Sequence, residues 1–171
     1  RIAPRATLLG FRGRSTEEGV LRWFRRFGPT AFDQADIITE AAAFASTLPE
    51  ALVAHGLDPD RTTVLGYSNG ANFAAAVMLL HPGVIPAAAL LRPVRVLERV
   101  PAVDLAGTPV VTVSGTSDPF AADAAGLDDL LRNAGARLSQ RQLAAGHELT
   151  DDDARTVSDW LAGERYAPQP A

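Results

Sequence analysis

The stretch RTTVLGYSNGANFAAAVMLL, residues 61–80, decides the fold of this 171-residue chain. Its first third, residues 61–67, is β-branched and apolar, which predicts a buried strand. Residues 69–80 are rich in good helix formers and predict a helix that directly follows the strand. The GYSNG between them matches G-x-S-x-G, a tight strand-to-helix turn that exposes a serine hydroxyl. The stretch therefore predicts an α/β fold with Ser68 as a nucleophile at a strand end.

The two glycines of this motif have a steric explanation, because side chains beside such a sharp turn would collide with neighbouring structure. The N-terminus of the following helix points at the serine and favours a developing negative charge there. The alternative interpretation is a plain strand-to-helix turn in which Ser68 only caps the helix. The strand before the motif and the helix after it favour the catalytic interpretation.

Outside this stretch, short apolar runs alternate with segments of helical periodicity. This alternation predicts βαβ units and a three-layer α/β/α sandwich with a mainly parallel sheet. We expect one domain over residues 1–165 and a loose, proline-containing tail over 166–171. Residues 92–107 are too few for a helical cap domain above the sheet. The predicted strands are 6–11, 61–67, 87–91, 108–114 and 136–143, and the predicted helices are 33–55, 69–80, 120–133 and 150–162.

The composition excludes several kinds of chemistry. The chain has no Cys and no Lys, which removes thiolate catalysis, disulfides, Schiff bases and the P-loop lysine. Its three His residues are far apart in sequence and predict no metal site. The net charge of −4 argues against a nucleic-acid partner, and no apolar run is predicted to span a membrane.

The same composition bears on origin and location. All 16 basic residues are Arg, and Ala, Gly and Pro are abundant, which suggests a GC-rich bacterial genome. The chain begins at Arg1 and its one Met is Met78, so we expect further residues upstream. No signal-peptide h-region follows Arg1, and we predict a cytoplasmic protein. The sequence leaves a homodimer open.

A general base for Ser68 is found by comparing the histidines. His55 and His81 each precede a helix-ending Gly or Pro-Gly and suit a helix C-terminus. His147 instead follows the last predicted strand, on the loop AAGHE. In a parallel sheet such loops meet at the carboxyl edge, where ligand sites form. We therefore predict His147 as the base, the alternative being an ordinary surface loop residue.

An acid to orient His147 is expected at the same edge. Asp118, in GTSDP, directly follows the predicted strand 108–114. Its carboxylate could fix the tautomer of the imidazole, cap the next helix, or do both. Asp104 and Asp123 are weaker candidates because neither directly follows a strand. The chain order Ser, Asp, His is that of the α/β-hydrolases.

Three segments, LGYSNGANFAAAVMLLHP, SGTSDPF and AAGHELT, resemble the carboxylesterase/phospholipase-like branch of the α/β-hydrolases, near relatives of dienelactone hydrolase. The resemblance covers most of the chain. It implies hydrolysis of a small-molecule carboxylic ester through an acyl-enzyme, with no cofactor and no metal. It gives Ser68, Asp118 and His147 the triad roles, and the Asn69 backbone N–H one place in the oxyanion hole.

The sequence departs from this family at the second oxyanion donor. The family places it in an H-G-x-G-G loop after an early strand, and no such motif occurs here. We expect that loop, with the first strands of the sheet, upstream of Arg1.

The family resemblance also leaves the substrate open. Trp23, Phe24 and Phe27 are candidates for lining an acyl or alcohol pocket, or else are plain core residues. An acyltransferase or thioesterase would use the same triad. A non-catalytic binding module of this fold is a further alternative.

Overall fold

The computed structural model describes residues 2–17 and 19–165. A short antiparallel hairpin comes first, and a sheet of four parallel strands in chain order follows it. The hairpin strands are β1 (Ser15–Glu17) and β2 (Val20–Arg22). The sheet strands are β3 (Val64–Tyr67), β4 (Ala88–Leu91), β5 (Pro109–Gly115) and β6 (Arg137–Leu143).

Helices cover both faces of this sheet. One face carries α1, α2 and α3, and the other carries α4. This arrangement is the predicted three-layer α/β/α sandwich, which is confirmed. The helices are α1 (Gln34–Ala54), α2 (Asn69–Leu80), α3 (Ala121–Asn133) and α4 (Asp151–Trp160), with a 3₁₀ turn at Pro59–Arg61 and a π-helical segment at Leu161–Arg165.

The two central strands divide the core between the faces by alternation. Leu90 of β4 and Val110 of β5 belong to the cluster under α1, α2 and α3. Leu91 and Val111, one residue further along each strand, belong to the cluster under α4. All four are at most 2% exposed, as expected for strands covered on both sides.

The first helix begins where the sequence predicts. The Asp33 side chain accepts a hydrogen bond from the Asp36 N–H at 3.1 Å, which satisfies one of the free donors of the first turn. Pro49 lies inside this helix, where a proline lacks the N–H donor and usually kinks or ends the helix. The helix instead continues as one element of 21 residues, with His55 at its C-cap.

α1 is also the one helix in residues 2–17 and 19–165 that is long and apolar enough, by length and composition, to span a membrane. It contains Asp36, Glu40 and Glu50, and it packs on α2. Its residues Ile37, Ala41, Leu48 and Leu52 belong to the buried core and are all at most 3% exposed. We interpret α1 as a layer of the sandwich.

The predicted strand at residues 6–11 is wrong. These residues form no strand, and Leu8 is 86% exposed. The apolar pattern suits a strand, but a strand needs a neighbour for its backbone hydrogen bonds, and none lies beside this segment among the described residues. The β1–β2 hairpin lies in a segment where the sequence predicts no strand.

Two of the sequence predictions, on the tail and on the single domain, stay predictions. The predicted tail 166–171 lies outside the described residues, and a single domain over 1–165 stays a prediction. The connection 92–108 between β4 and β5 contains no helix, which agrees with the expected lack of a cap domain there.

Two glycines with opposite surroundings allow a test of this packing. A Cβ on Gly66 would lie 2.6 Å from the backbone of Gly70 and Ala71, whereas a Cβ on Gly126, exposed within α3, would meet nothing within 4 Å. We expect Gly66→Ala to lower the free energy of unfolding by about 1–3 kcal/mol through overpacking. Gly126→Ala should raise it by about 0.5–1 kcal/mol through helix propensity. Urea denaturation of both variants measures this, and equal effects would contradict the close turn.

Candidate active site

The turn after β3 holds Ser68 in a strained backbone conformation. Its φ of 49° and ψ of −116° lie where L-residues other than glycine are rare. The Ser68 N–H donates to the Leu91 carbonyl at 2.8 Å, which ties the turn to the end of β4. The chain has room for this turn because Gly66 has no Cβ. The predicted strand–turn–helix geometry is therefore present.

A linear chain of hydrogen bonds connects the three predicted side chains. Ser68 Oγ lies 2.9 Å from His147 Nε2, and His147 Nδ1 lies 2.9 Å from Asp118 Oδ2. A carboxylate can only accept, so Nδ1 carries the proton that it donates to Asp118. Nε2 is then the acceptor for the Ser68 hydroxyl, as a general base must be.

The Asp118 side chain makes a hydrogen bond within its own loop as well as the one to His147. The Phe120 N–H donates to Asp118 Oδ1 at 2.9 Å, so one carboxylate oxygen orders the turn into α3 and the other faces His147. The residue is 8% exposed. An acceptor this well buried interacts with imidazole in a low dielectric, which strengthens the hydrogen bond.

The loops of Asp118 and His147 are packed backbone to backbone. The Thr116 N–H donates to Leu143 O at 2.9 Å, and the Ser117 N–H to Ala145 O at 3.0 Å. A Cβ on Gly115 would overlap the carbonyl oxygens of Ala145 and Gly146. A glycine at the end of β5 is thus required for the two loops to approach this closely.

Two aromatic rings contact the His147 imidazole. The Phe120 ring meets it edge to face with centroids 5.4 Å apart, and the Tyr67 ring lies 5.6 Å away. The Tyr67 hydroxyl also donates to the His147 carbonyl at 3.0 Å. The His147 side chain remains 32% exposed, which leaves it open to water and substrate.

A buried ion pair lies behind the His147 loop. The side chains of Arg92 and Asp153 are 0% and 2% exposed, and two hydrogen bonds of 2.7 and 3.0 Å join them. Burial raises the pKa of Asp153, but hydrogen bonds from Arg92 and Thr150 outweigh it, so the pKa lies below its ordinary value. Thr150 donates to this carboxylate from its N–H and its hydroxyl.

Glu148, next to His147, directs its carboxylate back to the loop and not to the imidazole. Its Oε1 accepts from the Gly146 N–H at 3.1 Å, and the residue is exposed. Hydrogen bonds from the backbone N–H groups of Glu148 and Gly146 hold the pKa of Glu148 below its ordinary value. It therefore orders the loop and makes no bond with the imidazole.

Asn69 is the first residue of α2, so its N–H has no acceptor within the helix. Its side-chain Oδ1 accepts the Trp23 N–H at 2.8 Å, which docks the segment after β2 against the turn. The other histidines are at the predicted places, since His55 and His81 are the C-caps of α1 and α2. In the chain's second half, Asp104 accepts the Ala106 N–H, and Asp123 is exposed on α3.

The three candidate pocket aromatics have different surroundings. Trp23 stacks on Phe73, with centroids 4.5 Å apart, beside Gly70 at the start of α2. Phe24 is 1% exposed and lies in the core, while Phe27 is 77% exposed. Phe24 thus fits the core interpretation, and a pocket role for Trp23 and Phe27 stays a prediction.

Sequence reasoning missed Arg92, Asp153 and the two aromatic contacts of His147. Arg92 had a readable signal, because it directly follows the fully apolar strand AALL and so lies at the same sheet edge as the three predicted side chains. Tyr67 had one as well, inside the G-x-S-x-G motif. Among the described residues no group of three or more His, Asp or Glu side chains could hold a metal ion.

The structure combines a parallel sheet with a strained turn at a serine, and the serine hydroxyl faces a histidine that an aspartate holds. This combination defines the α/β-hydrolase class. The chain belongs to the α/β-hydrolase superfamily, in its carboxylesterase/phospholipase-like branch, and is an esterase-type hydrolase.

Sequence and structural similarity to known proteins supports this assignment. MhqD of Bacillus subtilis (strain 168), a protein named by inference as a hydrolase, is 33% identical over 161 residues, which are 93% of this chain and 80% of MhqD. The carboxylesterase of Mesorhizobium loti is 48% identical with a TM-score of 0.92, over 95% of this chain and 78% of that one. The Bacillus cereus carboxylesterase is 31% identical with a TM-score of 0.84, over 88% and 72%. No protein-family model matches the chain.

The Arg92–Asp153 pair predicts an acid-sensitive contribution to stability. Because the pKa of Asp153 is lowered in the folded protein, its contribution is complete above about pH 4 and is lost as the pH falls through the folded pKa. We expect Asp153→Asn to lower the free energy of unfolding at pH 7 by about 3 kcal/mol. The difference from wild type should shrink below about pH 4.

Urea denaturation at a series of pH values measures this difference. Asp151→Asn, an exposed carboxylate in the same helical turn, is the matched control and should change stability little at any pH. A pH-independent effect of Asp153→Asn would show that the charge of Asp153 contributes nothing.

Proposed function

We propose that the protein is a serine carboxylesterase that hydrolyses small carboxylic esters through Ser68, His147 and Asp118. One observation supports this most directly: the pair of 2.9 Å hydrogen bonds that lead from Ser68 Oγ through the imidazole to Asp118 Oδ2. Their order and polarity are those that general-base catalysis requires.

In the first half of the reaction, Ser68 Oγ attacks the ester carbonyl carbon while His147 Nε2 takes the hydroxyl proton. The imidazolium that forms is stabilised by the Asp118 carboxylate. The tetrahedral intermediate then collapses, the C–O bond to the alcohol breaks, and His147 returns its proton to the leaving oxygen. The acyl group stays on Ser68 as an ester.

In the second half, a water molecule takes the place of the alcohol. His147 removes its proton as the oxygen attacks the acyl carbon, and the proton then passes to Ser68 Oγ as the carboxylic acid leaves. The 32% exposure of the His147 side chain supports access of water to Nε2.

The Asn69 N–H is the oxyanion donor that we assign in this chain. As the first residue of α2 it points out of the helix N-terminus, where the helix dipole also favours negative charge. The names of the Mesorhizobium loti and Bacillus cereus relatives support an ester as the small-molecule substrate. A cytoplasmic location stays a prediction, and the sequence leaves a homodimer open.

A fluorophosphonate probe tests the nucleophile. We expect labelling of Ser68 in the wild-type protein, none in Ser68→Ala, and hydrolysis of p-nitrophenyl acetate reduced by about 10⁴-fold in Asp118→Asn or His147→Ala. His55→Ala, which changes a histidine at the end of α1, is the matched control and should keep wild-type activity. A wild-type protein that neither labels nor hydrolyses would favour a non-catalytic binding module.

Product analysis separates hydrolysis from the transfer reactions that use the same triad. With p-nitrophenyl acetate in the presence of methanol, we expect acetic acid in excess over methyl acetate, and a matched acetyl thioester should react more slowly. Predominant methyl acetate would indicate an acyltransferase, and faster thioester cleavage a thioesterase.

A further inference from the structure

Arg92 comes directly after β4 and has an unusual backbone. Its φ of 52° places a non-glycine residue in the left-handed region, at a cost of about 1–2 kcal/mol. Its N–H donates to Val113 O at 2.7 Å, and its side chain turns inward and is fully buried. Such strain persists where the surroundings fix the residue and often accompanies a functional site.

The guanidinium of Arg92 uses all of its five N–H donors. Nε donates to Gly146 O at 2.8 Å, and Nη2 donates to Glu148 O at 3.1 Å. Nη1 donates to Val113 O at 3.3 Å, and both Nη atoms bond to Asp153. The acceptors come from β5, from the start of α4 and from the loop between β6 and α4.

Two of those acceptors are the carbonyl groups of Gly146 and Glu148, the residues immediately before and after His147. One rigid, planar group therefore holds the backbone on both sides of the histidine, through the residue before it and the residue after it. The group is itself held by Asp153, which Thr150 fixes at the N-terminus of α4. With these contacts the histidine loop cannot rotate without breaking bonds to a buried cation.

A structural role alone does not account for this arrangement. Asp153 would neutralise a buried cation by itself, and a hydrophobic pair of similar volume is often at least as stable as a buried ion pair. The bonds to Gly146 and Glu148 add a geometric constraint to the one loop whose position determines the 2.9 Å contact with Ser68.

We propose that Arg92 is a positioning residue for His147: its guanidinium fixes the Gly146 and Glu148 carbonyls and so sets the imidazole between Ser68 and Asp118. This inference rests on the proposed esterase function for its effect on rate. Its effect on the geometry of the imidazole is independent of that function.

Two variants separate position from stability. Arg92→Lys keeps a cation beside Asp153 but cannot reach the two loop carbonyls and both carboxylate oxygens together. Arg92→Met with Asp153→Asn removes both charges and leaves no unpaired ion in the core. Arg14→Met, which breaks an exposed pair with Glu40 on α1, is the matched control.

The measurements are kcat and KM for p-nitrophenyl acetate, the urea midpoint, and the downfield proton resonance of His147 Nδ1–H. In folded Arg92→Lys and in the double variant we expect kcat to fall by about 10- to 100-fold, because a misplacement near 1 Å has that effect. KM should change less than about twofold, since substrate binding is not altered, and the resonance should shift or broaden. Arg14→Met should match wild type in all three.

The proposal would be overturned if both folded variants kept the wild-type kcat. It would also be overturned if the His147 resonance were unchanged in both variants, whatever their rate. A loss of rate that merely follows the loss of stability would also overturn it. If the wild-type protein fails to react with the fluorophosphonate probe, the proposed esterase function is wrong. The His147 resonance then still tests whether Arg92 positions the imidazole ring.

Discussion

The hydrogen bond between Ser68 Oγ and His147 Nε2 joins residues 79 positions apart in the chain, and the other features of the site serve that contact. Parallel strands make it possible, because the carboxyl ends of β3, β4, β5 and β6 reach one edge of the sheet. Ser68 follows β3, Asp118 follows β5, and His147 follows β6. Arg92, directly after β4, lies at the same edge.

The edge is crowded, and the backbone accommodates the crowding at particular residues. Gly66 and Gly115 lack side chains where another backbone passes, whereas Ser68 and Arg92 adopt left-handed conformations that L-residues disfavour. Each strained residue is held by a backbone hydrogen bond to the neighbouring strand, from Ser68 to Leu91 and from Arg92 to Val113. Strain at the site is thus offset by the sheet itself, which explains how a loop-built site can keep its geometry.

Much of this could be predicted from local sequence. The helix over 69–80 matches α2 at both ends, and the strand–turn–helix around Ser68 follows from a motif whose glycines have a steric cause. The placements of Asp118 and His147 followed from their positions just after predicted strands. The strand prediction at residues 6–11 was wrong because an apolar run becomes a strand only beside another strand, and pairing is a property of the whole sheet. Phe24 and Phe27 are close in sequence and alike in chemistry, but Phe24 is 1% exposed and Phe27 is 77% exposed. The packing of the whole chain, and not the local sequence, decides which of them is buried.

The sequence alone determined the class of fold, the candidate nucleophile and the order of the candidate triad, because these depend on short-range patterns: periodicity, turn sterics and which residue follows a strand. Only the tertiary structure decided the hydrogen-bond geometry of the candidate triad, the aromatic contacts of Tyr67 and Phe120 with the imidazole, and the contacts of Arg92 with the carbonyls of Gly146 and Glu148. Those contacts join segments remote in the chain, and their distances depend on how the strands twist and the loops pack, which no local pattern encodes.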